Sequence, residues 1–139
     1  MLSKEAKHIK LLPISTLAYL GDAYYELLIR QQLLACHQTL SGKLHHLAVK
    51  YVSATAQANL VQNLLEQNYL HEEEVALIKR ARNSNPHSCA KNADKITYRY
   101  ATAFEALIGY LYLSGQLERI DQLLHRILPD LFCSNSAER

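Results

Sequence analysis

The apolar positions of the chain recur at the three- and four-residue spacing of helices, and no stretch alternates apolar and polar residues as strands do. This pattern predicts an all-α protein. The first long helix opens at Pro13, with Ser15 as its N-cap, and fades after Leu34. One face of this helix is marked at helical spacing by Leu17, Leu20, Tyr24, Leu27, Leu28 and Gln31.

Further helices are predicted along the rest of the chain. The pattern restarts at Ser41-Gly42 and again over VSATAQANLVQNLLEQ, as a new helix or a continuation. Three glutamates at 72–74 precede the bases of 79–82, an order that suits the dipole of a short helix. The remaining boundaries are a loop over 83–94, a helix from its Asp94 cap to Leu113, and a last helix from about Leu117 through Ile127 that Pro129 kinks or ends.

Two of these segments, LAYLGDAYYELLIR and YRYATAFEALIGYLYL, are apolar almost all the way round. Yet each carries an acid in its middle, Asp22 near Gly21 and Glu105 near Gly109. A helix that is apolar on every side is buried or lies in an interface. A carboxylate there is costly unless a cation, a metal or hydrogen bonds compensate it. The two acids therefore predict a shared Mg²⁺ site, since Mg²⁺ prefers carboxylate oxygens. Spacing alone equally allows that the two acids pair with arginines or cap other backbone groups.

A second cluster is basic and falls between residues 79 and 99, where Asp94 is the one opposing charge. Its members are Lys79, Arg80, Arg82, Lys91, Lys95 and Arg99. The helix with the later members leads directly to Glu105, so the layout favours delivery of a polyanion to an acidic metal site. A solvated helix end followed by a polar loop is the alternative interpretation.

Composition sets the remaining limits. The chain has 139 residues, of which 49% are hydrophobic and 20% charged, with a net charge of +2. We expect one domain over 1–139, with its core over 14–128 and a flexible tail over 134–139. No secretory signal or membrane-spanning stretch is visible, and three widely spaced cysteines suggest free thiols in a cytoplasmic protein. Neither His45-His46 nor His87-Ser88-Cys89 has the spacing of a zinc site.

Several of these segments resemble the ribonuclease III catalytic domain. LAYLGDAYYELLIR is similar to the signature helix of that family, and ATAFEALIGYLYL to its second acidic motif. LHHLAVKYVSATAQA, KRARNSN and DKITYRYATAFEALIGYLYL resemble its small branch, mini-ribonuclease III. Together these matches cover roughly residues 14 to 113 in a consistent order, which is far more specific than one short motif.

The resemblance implies an all-helical endonuclease domain that forms a homodimer and cuts double-stranded RNA with Mg²⁺, for which Mn²⁺ can substitute. It implies that Asp22 and Glu105 are the catalytic acids that bind the metal. The small branch lacks a separate double-stranded-RNA-binding domain and is associated with maturation of large-subunit (23S) ribosomal RNA. We accordingly expect a precursor ribosomal RNA as the substrate, with a ribosomal protein as a candidate for presenting it.

Two positions depart from the larger family. Ala18 stands where that family has a glutamate, and Thr102 where it has an aspartate. Both departures resemble the small branch, and they favour one firmly held ion over two. Glu26 and the Thr102 hydroxyl are candidates for contacts to the ion through water. The alternative functions are a non-catalytic helical RNA-binding or scaffold dimer, and a phosphohydrolase that acts on nucleotides.

Overall fold

The computed structural model describes residues 6–36, 41–84 and 94–132, and within these ranges every regular element is a helix. The all-α prediction is confirmed. The helices are α1 (Ala6–Lys10), α2 (Ile14–Cys36), α3 (Ser41–Val52), α4 (Ala54–Glu66), α5 (Glu72–Asn83), α6 (Lys95–Leu113), α7 (Leu117–Ile127) and α8 (Pro129–Phe132). The proposed tail over 134–139, and the proposed loop apart from its ends at 83–84 and 94, lie outside the described residues. None of the described helices has the length and apolar character to cross a membrane.

The N-cap predicted for the first long helix is wrong, and the structure decides between the two alternatives for residues 52–67. Ser15 is not the N-cap of α2, because α2 begins at Ile14 and the carbonyl of Pro13 already accepts the amide of Thr16 at 3.0 Å. α4 is a separate helix rather than a continuation of α3. Its N-cap is Ser53, whose hydroxyl oxygen accepts the backbone N–H of Ala56 at 3.2 Å.

Two short helices at the ends of the fold carry too few residues for a periodic signal, and the sequence pattern did not predict them. α1 contributes the buried Ile9 to the core. α8 starts at Pro129, directly after the C-cap of α7 at Leu128. Proline is favoured at a first helical position because its missing N–H would have no partner there. Of the two alternatives predicted for Pro129, a kink or an end of the preceding helix, the structure shows the end.

α6 is the central helix, in contact with α1, α2, α4, α5 and α7. It is antiparallel to α5, because Glu73 approaches the hydroxyl of Tyr110 at 3.5 Å while Arg82 approaches that of Tyr100 at 3.3 Å. The end of α5 and the start of α6 therefore lie at the same end of the fold. The middle of α6 is buried on all sides apart from Glu105, which is partly exposed.

The buried face of α2 differs from the predicted one. The residues that are buried on α2 are Ile14, Leu17, Ala18, Gly21, Tyr25, Ile29 and Leu33. Of the predicted face only Leu17 is fully buried, while Leu27 is 52% exposed. The shift arises because α2 packs against α6 through Gly21, and a residue without a side chain carries no apolar signal. Asp22, which follows the buried Gly21, consequently lies at the edge of the packed face and is exposed.

Two glycines set the separation of α2 and α6. A Cβ atom added to Gly21 would collide with the backbone carbonyl of Glu105 and would lie 2.7 Å from the amide nitrogen of Gly109. A Cβ added to Gly109 would collide with the carbonyl of Leu17. Backbone meets backbone at this crossing, so the two helices approach more closely than any residue with a side chain allows.

A buried ion pair connects α5 to α7 in the second half of the fold. Glu74 of α5 is 2% exposed, and its two carboxylate oxygens accept hydrogen bonds from the guanidinium of Arg119 at 2.8 and 2.9 Å. Arg119 also donates to the carbonyl of Tyr69, and Glu74 accepts the backbone N–H of His71 at the start of α5. Each polar group is thereby compensated where water is excluded.

We predict that alanine at either glycine of the crossing strongly destabilises the protein. Gly21→Ala or Gly109→Ala should lower the free energy of unfolding by roughly 2 kcal/mol or more, since neither backbone can move away without opening the core. Gly42→Ala is the matched control, because Gly42 lies in α3 with no atom within 4 Å of an added Cβ. That change should stabilise by about 0.5–1 kcal/mol in urea denaturation. Equal stabilities of all three variants would contradict the close crossing.

Candidate active site

Asp22 and Glu105 meet beside the glycine crossing. α2 and α6 run antiparallel there, since Leu17 faces Gly109 and Gly21 faces Glu105. Asp22 follows Gly21 in the chain, so the backbone contact brings its side chain to Glu105. The two carboxyl groups lie close enough for Asp22 to raise the pKa of Glu105. Two residues separated by 83 positions in the sequence thus occupy one site.

The surroundings of Glu105 favour its neutral form. Burial raises the pKa of Glu105, the hydrogen bond and the negative charge of Asp22 raise it further, and a hydrogen bond from Gln57 opposes the rise, with a net pKa of about 8. No lysine or arginine of the described residues contributes to this shift. A buried acid beside a second acid is an arrangement that a bound cation relieves.

Gln57 is the third side chain of the site, and no sequence motif indicated it. It belongs to the first turn of α4, which packs against α6, and it is 2% exposed. Its amide nitrogen donates to the carbonyl of Val52 at 3.1 Å, while its amide oxygen is buried and has no hydrogen-bond partner among the described residues. A polar residue within a run of small and apolar residues was the one available signal.

The groups named as outer contacts lie near the two acids on the same helices. Thr102 is half-buried, one turn before Glu105. Glu26 is one turn after Asp22 and lies 3.6 Å from the guanidinium of Arg30. Ala18, which stands one turn before Asp22, is buried in the core.

The donor set fits a hydrated oxygen-binding ion. Within the described ranges, no group of three or more His, Cys, Asp and Glu side chains converges anywhere. Two carboxylates and an amide oxygen match Mg²⁺, which keeps several waters and uses one or two carboxylates. His45 and His46 are exposed on α3, and the Cys36 thiol at the exposed end of α2 donates to the carbonyl of Leu131 at 3.7 Å. His87 and Cys89 lie outside the described residues.

The basic cluster divides into two kinds of side chain. Lys79 of α5 and Lys95 of α6 are exposed, at the end of the fold where α5 finishes and α6 starts. Ten residues of helix place Lys95 about 15 Å from Glu105 along α6. Lys91 lies outside the described residues.

Two of the three arginines of the cluster, Arg80 and Arg82, form hydrogen bonds within the fold. Arg80 donates to the carbonyls of Lys10 and Leu12, at 2.5 and 2.9 Å, and so ties the start of the chain to α5. Arg82 is half-buried and donates to Tyr100. Arg99 is also half-buried, and its Nε has no partner among the described residues.

Comparison with known proteins assigns a family to this arrangement. A model of the ribonuclease III domain matches residues 15–116. The Mini-ribonuclease 3 of Enterococcus faecalis is 51% identical over 109 residues, which cover 78% of this chain and 83% of that protein. The Mini-ribonuclease 3 of Staphylococcus aureus is 42% identical over 126 residues, 91% of this chain and 94% of that protein. A crystal structure of a Fusobacterium nucleatum protein is similar with a TM-score of 0.72 and 33% identity, over 81% of this chain and 90% of that one.

We predict that Glu105 makes the metal-free protein less stable as the pH rises. Its folded pKa of about 8 lies above its ordinary value of 4.5, so the folded state binds the extra proton between those values. The contribution of Glu105 to stability is therefore fully present below pH 4.5 and is lost as the pH rises through 8. In EDTA, urea denaturation at pH 5 and 8.5 should show a loss that Glu105→Gln reduces by on the order of 2 kcal/mol.

Glu118→Gln is the control for this measurement, because Glu118 is an exposed acid in the first turn of α7. Its pH dependence should equal that of the unchanged protein. If Glu105→Gln leaves the pH dependence of stability unchanged as well, the Glu105 carboxyl is not held in the uncompensated site described above.

Proposed function

The chain belongs to the ribonuclease III family and is an endoribonuclease of its mini-ribonuclease III branch, and we propose that it uses Mg²⁺ to cleave double-stranded RNA. Mn²⁺ is the proposed substitute ion. Asp22 and Glu105 hold the cation. The observation that carries this proposal is the meeting of the two acids beside the backbone crossing of α2 and α6, where the neutral form of Glu105 is favoured in the absence of a cation.

The proposed chemistry is hydrolysis of a backbone phosphodiester. When bound, Mg²⁺ lowers the pKa of water and offsets the charge that develops on the phosphate. The chain contributes two carboxylates in fixed positions, Asp22 from α2 and Glu105 from α6. Because both helices are locked by backbone contact at Gly21 and Gly109, the acids need little rearrangement before the reaction. Two acids support one firmly held ion, and a second ion would need ligands from the RNA.

In this proposal the protein binds RNA through contacts to its phosphates. The deep major groove of A-form RNA hides its base edges, so shape and charge dominate recognition. The exposed Lys79 and Lys95 are the best placed of the basic cluster. Lys91 remains a proposed member. Arg82 and Arg99 would contribute from half-buried positions, while Arg80 would do so only alongside its bonds to Lys10 and Leu12.

The active form is proposed to be a homodimer in which each subunit cuts one strand. α2 supports this, since three large apolar side chains on it are exposed although the helix packs against the core. They are Tyr19 at 84%, Leu27 at 52% and Leu34 at 59%. A symmetric partner can cover such a surface by presenting the same helix.

The biological setting is proposed from the branch of the family. Mini-ribonuclease III is associated with maturation of large-subunit ribosomal RNA, and we extend that role in 23S ribosomal RNA maturation to this chain, in the cytoplasm. A precursor ribosomal RNA is then the substrate, and a ribosomal protein is a candidate partner that presents it. The chain as a whole, 1–139, is proposed to act as one catalytic domain.

We predict that the protein cleaves duplex RNA in Mg²⁺ and that Asp22→Asn or Glu105→Gln lowers the rate at least a hundredfold. Each change removes a charge from the proposed ion site while keeping the shape of the side chain. Binding of duplex RNA should persist in both variants, which separates loss of chemistry from loss of fold. The measurement is single-turnover cleavage of a labelled duplex, with and without Mg²⁺ or Mn²⁺.

Different outcomes of that experiment favour the alternatives. Duplex binding without cleavage by the unchanged protein in either ion would leave a non-catalytic binding dimer. Release of phosphate from nucleotides, with duplex RNA intact, would indicate a phosphohydrolase. Cleavage of both strands by a species that sediments as a monomer would contradict the dimer.

We predict that Lys79→Gln and Lys95→Gln weaken duplex binding and flatten its salt dependence. Each lost phosphate contact should lower the slope of log affinity against log salt concentration by about 1. Arg126→Gln removes the same charge from α7, at the opposite end of α6, and is the control. Its slope should equal that of the unchanged protein. Equal slopes in all the variants would mean that the two lysines do not contact RNA phosphates.

A further inference from the structure

We propose that Gln57 is a positioning residue of the acidic site, whose side-chain carbonyl accepts a hydrogen bond from the hydration shell of the cation that Asp22 and Glu105 hold. The inference rests on the proposed function, since it concerns the same site. It adds a contact from a third helix, α4, to the two acids of α2 and α6.

The first observation is a buried acceptor without a donor. Gln57 is 2% exposed, and its Oε1 is fully buried with no hydrogen-bond partner in the described part of the chain. Buried polar atoms are almost always paired in folded proteins, and an unpaired one calls for a missing water or ion. The only other buried side-chain polar atom without a partner in the described ranges is the Nε of Arg99.

The second observation is the direction in which the amide is held. Nε2 donates to the carbonyl of Val52 at 3.1 Å, so the nitrogen and oxygen of this amide cannot be exchanged without setting two acceptors against each other. Gln57 stands in the first turn of α4, which packs against α6, and its side chain acts on the Glu105 carboxyl. Because the oxygen and nitrogen of one amide are neighbours, the unpaired oxygen lies on the side chain that approaches Glu105.

The third observation concerns the junction between α3 and α4 at Val52–Ala54, called the corner below, which holds Gln57 in place. The hydroxyl of Tyr25 donates to the carbonyl of Tyr51 at 2.9 Å, and Ser53 caps α4. Tyr25 belongs to α2, three residues after Asp22, and its ring packs edge-on against Phe104, the neighbour of Glu105. The corner between α3 and α4 is thus fastened to both acid-bearing helices, so the amide of Gln57 keeps its place relative to them.

A fixed neutral acceptor is suited to a hydrated cation. Mg²⁺ retains several waters, each of which needs acceptors for its hydrogens, and the two carboxylates serve only part of that shell. Groups that accept hydrogen bonds from the ligands of a metal orient those ligands and raise the affinity of the protein for the metal. An amide oxygen does this without adding a third negative charge beside Asp22 and Glu105.

The test compares Mn²⁺ binding to the free protein, measured by electron paramagnetic resonance without RNA, in Gln57→Met and Gln57→Glu. Methionine keeps the length of the side chain but removes both polar atoms. Glutamate keeps an acceptor and loses the donor to Val52. We expect Gln57→Met to raise the dissociation constant of Mn²⁺ about tenfold, and Gln57→Glu to leave it unchanged or lower it.

Ser53→Ala is the matched control, because it loosens the same corner by removing the cap of α4 while leaving the Gln57 amide intact. Its dissociation constant should change less than twofold. Unfolding temperatures of all the variants accompany the measurement. If Gln57→Met does not fold, Gln57→Glu decides: binding as tight as in the unchanged protein supports the acceptor role, and tenfold weaker binding overturns it.

Two results overturn the inference when Gln57→Met folds. Unchanged Mn²⁺ affinity in Gln57→Met would mean that the oxygen faces no ion. Equal weakening in the methionine and glutamate variants would assign the effect to loss of the hydrogen bond that Gln57 Nε2 donates to the carbonyl of Val52. Cleavage of duplex RNA by the unchanged protein is measured in parallel. Its absence would remove the proposed function, whereas the affinity ratios report on Gln57 alone.

Discussion

The close crossing of α2 and α6 is the constraint on which the rest of the structure depends. Gly21 and Gly109 leave no side chain between the two backbones, and the carbonyls of Leu17 and Glu105 occupy the space that a Cβ would need. This contact fixes the register of the two helices, and the register in turn places Asp22 against Glu105. Packing and chemistry therefore have one origin, because a helix pair held apart by ordinary side chains would separate the two acids as well.

The crossing also explains how the fold tolerates an unfavourable pair of charges. Glu105 is partly buried beside a second acid, which raises its pKa to about 8 and opposes ionisation in the folded state. The residues that flank it on α6, Phe104 and Ala106, are fully buried, as are Leu107 and Ile108. Burial of this apolar surface stabilises the helix in a position that the acid alone would disfavour. A pair of acids that lowers stability in this way is typical of positions where the residue is retained for function rather than for folding.

Much of the fold follows from periodicity, and the deviations have identifiable physical causes. The six longer helices are predicted because each carries several turns of apolar repeat, whereas α1 and α8 have too few residues for one. The buried face of α2 was predicted wrongly because its centre is Gly21, which contributes contact without hydrophobicity. Asp22 and Glu105 could be selected because a charge in an apolar helix is conspicuous. Gln57 could not, since its significance depends on a contact between α4 and α6 that no local pattern encodes.

Glu74 and Glu105 are both buried to some extent, but only Glu74 has a cationic partner among the described residues, and this difference bears on the function. Glu74 is 2% exposed and meets the guanidinium of Arg119 through both of its oxygens, so its charge is neutralised within the fold. Glu105 meets Asp22 and the amide of Gln57, and no cation of the described residues acts on it. The same chain can supply an arginine to a buried carboxylate, as α7 does for α5. That it leaves the pair at the α2–α6 crossing without one is what supports a cation from solution as the missing partner, and with it the metal-dependent cleavage proposed for the site.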